Sequence, residues 1–246
     1  MSPYKKWGAG YPRYKVDAPI LHAKKNKMTT VAENIFKFKK LLGQETRLVV
    51  VSKKKTNEQI LEAYQTGQRD FGENRVQEII PKFESLPKDI QWHIIGHLQT
   101  NKVKYIAPFI HLIQAVDSES LLAEINKQAA KCNRTISVLL QLFIAQEETK
   151  FGFSEIELEQ LILKDPKKKF PHVNIVGFMG MASNTENQNQ IRKEFQSLKI
   201  FSSKMNTKFL SANPKILSMG MSSDWEIALT EGSTMIRIGT SIFETI

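Results

Sequence analysis

Apolar residues recur at Val31, Ile35, Phe38 and Leu42, a one-sided stripe at helical spacing, with Thr30 and Glu33 set as a capping box ahead of it. Beyond this stripe, short apolar runs alternate with amphipathic stretches. The runs Arg47–Val51, Arg69–Gly72, Gln91–Ile95, His111–Val116, Thr135–Ile144, Val173–Met179, Lys215–Met219 and Thr234–Ile238 predict strands. Several are apolar almost throughout, the pattern of parallel strands covered on both faces. Helices are predicted between them. Thr56 with Gln59, Ser154 with Glu157, and Ser223 with Glu226 fit the capping-box spacing, while Gly67 and Gly232 mark helix ends.

Strands that alternate with helices form right-handed βαβ units. The expected fold class is α/β, a single (β/α)8 TIM-type barrel with an extra N-terminal helix. Only eight residues follow Ile238, too few for a full last helix, so the N-terminal helix is expected to cover the gap between the last strand and the first. The competing arrangement, an open doubly wound sheet, lacks its usual Gly-rich phosphate loop after the first strand. Residues 1–27 read as a separate, flexible extension. Pro3, Gly8, Gly10, Pro12 and Pro19 break any sustained pattern there, and neither a signal peptide nor a transit peptide is recognisable. The barrel is expected to occupy residues 28–246.

Composition changes this picture little. With 41% hydrophobic and 24% charged residues in 246, the chain has an ordinary globular balance. No apolar run reaches the roughly 18 residues of a membrane helix. A lone cysteine, Cys132, can make neither an internal disulfide nor a multi-cysteine zinc site, which favours a reducing, cytoplasmic setting. The net charge of +10 lies mostly on the extension, which carries +6 and leaves +4 for the remaining 219 residues. Lys167–Lys169 reads as a solvated loop between Pro166 and Pro171. No groove-reading or aromatic RNA motif accompanies it, so nucleic acid is not an expected partner.

Barrel chemistry collects at the carboxyl ends of the strands. The first strand runs into Val51-Ser52-Lys53. A lysine where a buried strand meets the cavity is expected to be partly desolvated, which lowers its pKa and frees the amine to attack a carbonyl. Lys55 would face the same side if the chain stayed extended, and a second cation would lower the pKa further. That arrangement suits a Schiff base with an aldehyde. On the tripeptide alone a solvated basic loop is the better reading. The ends of strands seven and eight shift the balance. Ser222 stands at the start of a predicted helix, where free amides favour an anion, and Gly239 and Thr240 offer close backbone approach and a hydroxyl. Barrels recurrently bind phosphate at these two loops. A lysine with a phosphate cradle points to a phosphorylated aldehyde, of which pyridoxal 5′-phosphate (PLP) is the obvious case.

Other constellations are weaker. His93 and His97 have no carboxylate or third ligand at metal spacing, so no metal is expected. Glu73 reads as an outward carboxylate or strand-end cap, Lys102 and Lys104 as a solvated helix face, and Cys132 as a packing residue within a helix. Met219 and Met221 read as cavity packing.

Longer motifs carry a resemblance. They are Val51-Ser52-Lys53, Gly67-Gln68-Arg69-Asp70-Phe71-Gly72-Glu73-Asn74, Trp92-His93-Ile94-Ile95-Gly96-His97-Leu98-Gln99-Thr100-Asn101-Lys102 and Lys150-Phe151-Gly152. Gly177-Phe178-Met179, Ser218-Met219-Gly220-Met221-Ser222-Ser223-Asp224 and Gly232-Ser233-Thr234-Met235-Ile236-Arg237-Ile238-Gly239-Thr240 complete the set. Over residues 28–246 the sequence resembles the PLP-binding homeostasis proteins, a family with the barrel of the alanine racemase amino-terminal domain. The resemblance implies that Lys53 carries PLP as a Schiff base and that Ser222, Gly239 and Thr240 hold the phosphate. It also implies that Arg237 faces the pyridine nitrogen while Asn74 and Met179 line the ring. A cation at that nitrogen opposes ring protonation and weakens the cofactor as an electron sink.

The sequence departs from the family's usual Ser-Lys-Thr-Lys-Pro in having Lys54 for the threonine and Asn57 where the proline would be. The extension has no recognisable counterpart. Two functional classes follow. A racemase-type enzyme needs a base on each ring face, and alanine racemase takes its second base, a tyrosine, from a separate β domain that this chain lacks. Tyr4, Tyr11, Tyr14, Tyr64 and Tyr105 are not at predicted strand ends. The favoured class is a non-enzymatic, monomeric carrier in PLP homeostasis that delivers the cofactor to apo-enzymes, with Lys55 or Lys150 as possible relays.

Overall fold

The computed structural model describes residues 30–146, 151–209 and 216–244. Eight parallel strands close into a barrel in sequence order: β1 (Arg47–Val51), β2 (Asp70–Glu73), β3 (Gln91–Ile94), β4 (Leu112–Val116), β5 (Ile136–Gln141), β6 (Val173–Met179), β7 (Ile216–Ser218) and β8 (Met235–Ile238). The helices around it are α1 (Thr30–Leu42), α2 (Asn57–Gln65), α3 (Val76–Ser85), α4 (Val103–Ile106) and α5 (Glu119–Lys131). They continue with α6 (Glu155–Leu163), α7 (Pro166–Lys169), α8 (Gln188–Phe209), α9 (Trp225–Thr230) and α10 (Thr240–Phe243). All eight predicted strands are present. The main discrepancy is β5, which stops at Gln141 rather than Ile144 because Leu142 leaves the sheet to bridge Phe153.

Local chemistry sets most element ends. Thr56 and Ser154 accept from the backbone N–H of Gln59 and Glu157, whose side chains reach back, so both predicted capping boxes form. The Ser223–Glu226 box does not. The chain turns once more before α9, Asp224 becomes the N-cap residue, and its carboxylate accepts from the Met221 N–H at 2.6 Å. Lys167–Lys169 is helical rather than a loop, because Pro166 opens α7 and the Asp165 side chain caps it. Cys132 stands at the C-cap of α5, just past the helix, and packs against the core. No helix of the described residues is long and apolar enough to cross a membrane.

Alternation along each strand divides the core in two. Outward residues such as Val50, Phe71, Trp92, Ile113, Leu140, Phe178 and Ile236 pack beneath the helices. Val49, Leu112, Ala115, Leu139, Met179 and Met235 fill the barrel interior. The seam between β8 and β1 is covered as expected. Asn34 of α1 donates to the Ile242 carbonyl of α10 at 3.1 Å, Lys39 reaches the Thr66 carbonyl at 3.5 Å, and Phe38 meets Trp225 edge-on with ring centroids 5.3 Å apart. Four residues of α10 bury only Ile242, so α1 supplies the cover that a full eighth helix would give. Replacing Phe38 by alanine is expected to lower the unfolding free energy by about 3 kcal/mol, measured by urea denaturation.

Candidate functional site

The end of β1 is pinned from below. Ser52 is buried, and its hydroxyl donates to Glu73 Oε1 at 2.7 Å. Lys82 of α3 donates to the same carboxylate oxygen at 2.7 Å and to the Ser52 carbonyl at 2.8 Å. Glu73 is fully buried, not outward as its sequence position implied. Burial pushes its carboxyl above the usual range, while hydrogen bonds from Lys82 and Ser52 pull it back. Residue type alone hides this anchor, yet a signal existed: Lys82 lies on the same buried face of α3 as Val76 and Ile79.

Beyond Ser52 the chain does not stay extended. The Lys55 N–H bonds the Ser52 carbonyl at 3.0 Å, and Lys54 adopts a left-handed conformation with φ +60°. This turn breaks the alternation on which the pairing of Lys53 with Lys55 depended. Lys53 is exposed on this turn rather than partly buried. Lys55 turns instead to Glu244 at 3.5 Å and lies over the Phe243 ring. Lys150 and residues 1–27 lie outside the described residues.

Arg237 is 3% exposed inside β8. Its Nη1 donates to Ser218 Oγ at 2.6 Å and its Nη2 to the Gly180 carbonyl at 3.3 Å. Desolvation lowers the guanidinium to about 10, opposed by the Asp224 carboxylate, so it stays cationic at neutral pH. Met179, fully buried, ends β6 in register with Ser218. Ser222 lies in the turn after β7, not at a helix start, because α9 begins only at Trp225. Gly239 leads from β8 to Thr240, the exposed first residue of α10. A Cβ at 239 would come within 3.1 Å of the Val51 side chain, so β8 approaches the end of β1 closely there. Asn74 follows β2, half-buried, and a Cβ at Gly96 would lie 2.8 Å from its carbonyl oxygen.

All seven sequence-predicted positions therefore lie in β6 and β8 or just past β1, β2, β7 and β8, toward the carboxyl end of the barrel. The same rim holds a pair the sequence did not reveal: His97 Nδ1 is 2.7 Å from Asp117 Oδ2, with the imidazole stacked on Phe151. His93 also has neighbours that its spacing did not predict. It is buried, with Nε2 3.0 Å from Asp70 Oδ1, and ligand atoms of Asp70, His93 and His111 fall within 4.8 Å of one another. Met219 packs under the helices, whereas Met221 is half-buried in the turn after β7. Lys102 and Lys104 both approach the Tyr105 ring.

Residues 27–245 match the family described as alanine racemase, N-terminal domain. A pyridoxal phosphate homeostasis protein of Aquifex aeolicus is 39% identical over 198 residues, which cover 80% of this chain and 86% of that one. The human protein of the same name is 36% identical over 210 residues, covering 81% and 76%. The chain belongs to the pyridoxal phosphate homeostasis protein family. Among solved structures, PipY of Synechococcus elongatus with PLP bound superposes with a TM-score of 0.78 at 32% identity, covering 87% of this chain and all of that one. Alanine racemase of Bartonella henselae shares the fold at 15% identity, with a TM-score of 0.66. The homeostasis proteins are named for a cofactor balance and not for a catalysed reaction.

The β1 anchor gives a pH-dependent expectation. In Lys82→Met, Glu73 is left buried without its cation, which costs about 3 kcal/mol at neutral pH. A carboxyl whose folded pKa lies above its unfolded value stabilises below the unfolded value and loses that contribution as pH rises. The variant's unfolding free energy should therefore approach that of the parent near pH 4 and fall away between pH 5 and pH 8, checked by denaturant titration at each pH.

Proposed function

We propose that this protein is a cytoplasmic PLP carrier: it holds the cofactor on Lys53 as a Schiff base and releases it by transimination to apo-enzymes or other amines. When bound, PLP supplies an aldehyde that condenses with an amine and loses water. The observation that carries the reading is the convergence of Lys53, Asn74, Met179, Ser222, Arg237, Gly239 and Thr240 at the carboxyl end of the barrel, in a family named for PLP homeostasis.

The donor chemistry fits such a guest. Arg237 has five N–H donors and gives one each to Ser218 and Gly180, which leaves others for a pyridine nitrogen acceptor. A buried guanidinium favours an unprotonated partner there. The loops Gly220–Ser222 and Gly239–Thr240 are joined through the Arg237 N–H, which donates to the Gly220 carbonyl at 3.0 Å, so a phosphate between them would meet two backbones held in fixed relation. Lys53 is exposed on its turn, where an incoming amine could reach it. Asn74 and Met179 close the sides.

A racemase needs a second base opposite the lysine. Of the described tyrosines, Tyr64 bonds Asp89 at 2.8 Å from α2, and Tyr105 is half-exposed on α4. Neither lies at the end of a strand.

In the purified protein loaded with PLP, borohydride should fix one cofactor on the peptide that contains Lys53. Lys53→Ala should lose that adduct while keeping its melting temperature, followed by mass spectrometry and thermal unfolding. A fixed adduct on another lysine would overturn the assignment. Racemase or decarboxylase turnover above the free-cofactor background would overturn the carrier reading itself.

A further inference from the structure

The barrel interior contains a continuous chain of buried hydrogen bonds that the binding site alone does not require. Arg237 of β8 donates to Ser218 Oγ of β7 at 2.6 Å. That hydroxyl donates its single proton to Gln114 Oε1 of β4 at 2.7 Å, straight across the barrel. Gln114 Nε2 donates to His93 Nδ1 of β3 at 2.8 Å, and His93 Nε2 donates to Asp70 Oδ1 of β2 at 3.0 Å. Ser218, Gln114 and His93 are fully buried.

One polarity satisfies every member of this chain. The second hydrogen of the Gln114 amide lies against the Met235 sulfur at 3.3 Å. Reversing the amide would set its carbonyl oxygen against that sulfur and take away the Gln114 oxygen that accepts the Ser218 hydrogen. Gln114 Oε1 therefore accepts from Ser218, and His93 Nδ1 accepts from Gln114. The His93 proton is on Nε2, and Asp70 is the terminal acceptor. This argues against a metal at Asp70, His93 and His111, since the His93 nitrogen nearest Asp70 carries a hydrogen and the Arg47 cation acts on the same carboxylate. Every donor points from Arg237 toward Asp70, which opens β2 and lines a cavity of about 320 Å³ with Lys39, Arg47 and Arg69 at the other end of the barrel.

We propose that Ser218, Gln114 and His93 are positioning residues that orient Arg237, and that Asp70 supplies a remote counter-charge through them. Ser218 must accept from Arg237 because its own proton is taken by Gln114. The guanidinium is thereby fixed in rotation, and its unused donors are aimed at one place. The consequence for the cofactor rests on the PLP reading above; the chain itself does not.

Two measurements separate the two. In unliganded protein labelled with 15N-histidine, His93 should show one tautomer, with hydrogen on Nε2 and none on Nδ1. Gln114→Met should release it to a mixture of both tautomers. In PLP-loaded protein, Gln114→Met and Asp70→Asn should each displace the visible absorption maximum and speed cofactor loss several-fold, while borohydride still fixes the adduct on Lys53. Asp70→Asn keeps shape and lies at the opposite end from Lys53, so it tests the coupling even if Gln114→Met fails to fold. A wild-type His93 protonated on Nδ1, or an absorption maximum unmoved in Asp70→Asn, overturns the proposal. Loss of the Lys53 adduct in the wild type overturns the PLP reading instead and leaves the tautomer measurement to decide the relay.

Discussion

Closure of the sheet between β8 and β1 is the constraint on which everything else rests. Parallel pairing from Arg47 opposite Met235 to Val50 opposite Ile238 brings the two ends of the barrel sequence side by side. In an open sheet those strands would be opposite edges, and Lys53 would stand a full sheet width from Gly239 and Thr240. Closure also forces the interior to be filled by side chains, and it leaves one seam without a full helix of its own. The placement of α1 over that seam is therefore part of the site's construction, since it presses on α10, which begins at Thr240.

The interior is not a uniform apolar filling. Arg237, Ser218, Gln114 and His93 share it with Val49, Leu112, Leu139 and Met235. Burying that much polar surface is tolerable because each group answers the next, and leaving out one member would expose the others to the full desolvation penalty. The second buried polar cluster, Ser52 with Glu73 and Lys82, lies under the end of β1. The two divide the work: one fixes the backbone from which Lys53 projects, and the other holds the Arg237 guanidinium inside the barrel. Glu73 Oε2 is the exception, buried with no hydrogen-bond partner. A carboxyl pushed upward by burial bears that vacancy better than a fully ionised one, because a protonated oxygen loses less on leaving water.

The fold was legible because period is robust. Runs such as Arg47–Val51 and Val173–Met179 are short, largely apolar and rich in β-branched residues, and regular alternation with capped helical stretches marks them as strands. That the candidate residues would fall at strand ends was legible as well, since it needs only the order of the elements. What stayed hidden depends on backbone angles and cross-strand contacts. Lys54 at positive φ turns the loop and separates Lys53 from Lys55, a conformation not written in a run of three lysines. Ser223 and Glu226 have the right spacing for a cap, but Asp224 occupies the N-cap position and its carboxylate turns back to the Met221 N–H. Gln114 reads as an interruption in an apolar strand. Only closure shows that it bridges Ser218 and His93, residues from strands on either side of the barrel.

The exposure of Lys53 bears on function more than its burial would have. A desolvated lysine deep in a cavity suits an enzyme that must keep its covalent intermediate from water and from stray amines. A lysine raised on a solvent-facing turn does the opposite: a linkage proposed there would stay within reach of a competing amine. Reversible capture requires that access, because release by exchange needs a second nucleophile at the same carbon. On the proposed reading Arg237 with its relay and the tight contact at Gly239 would supply recognition, while the exposed amine would supply reversibility. That division would suit a carrier better than a catalyst.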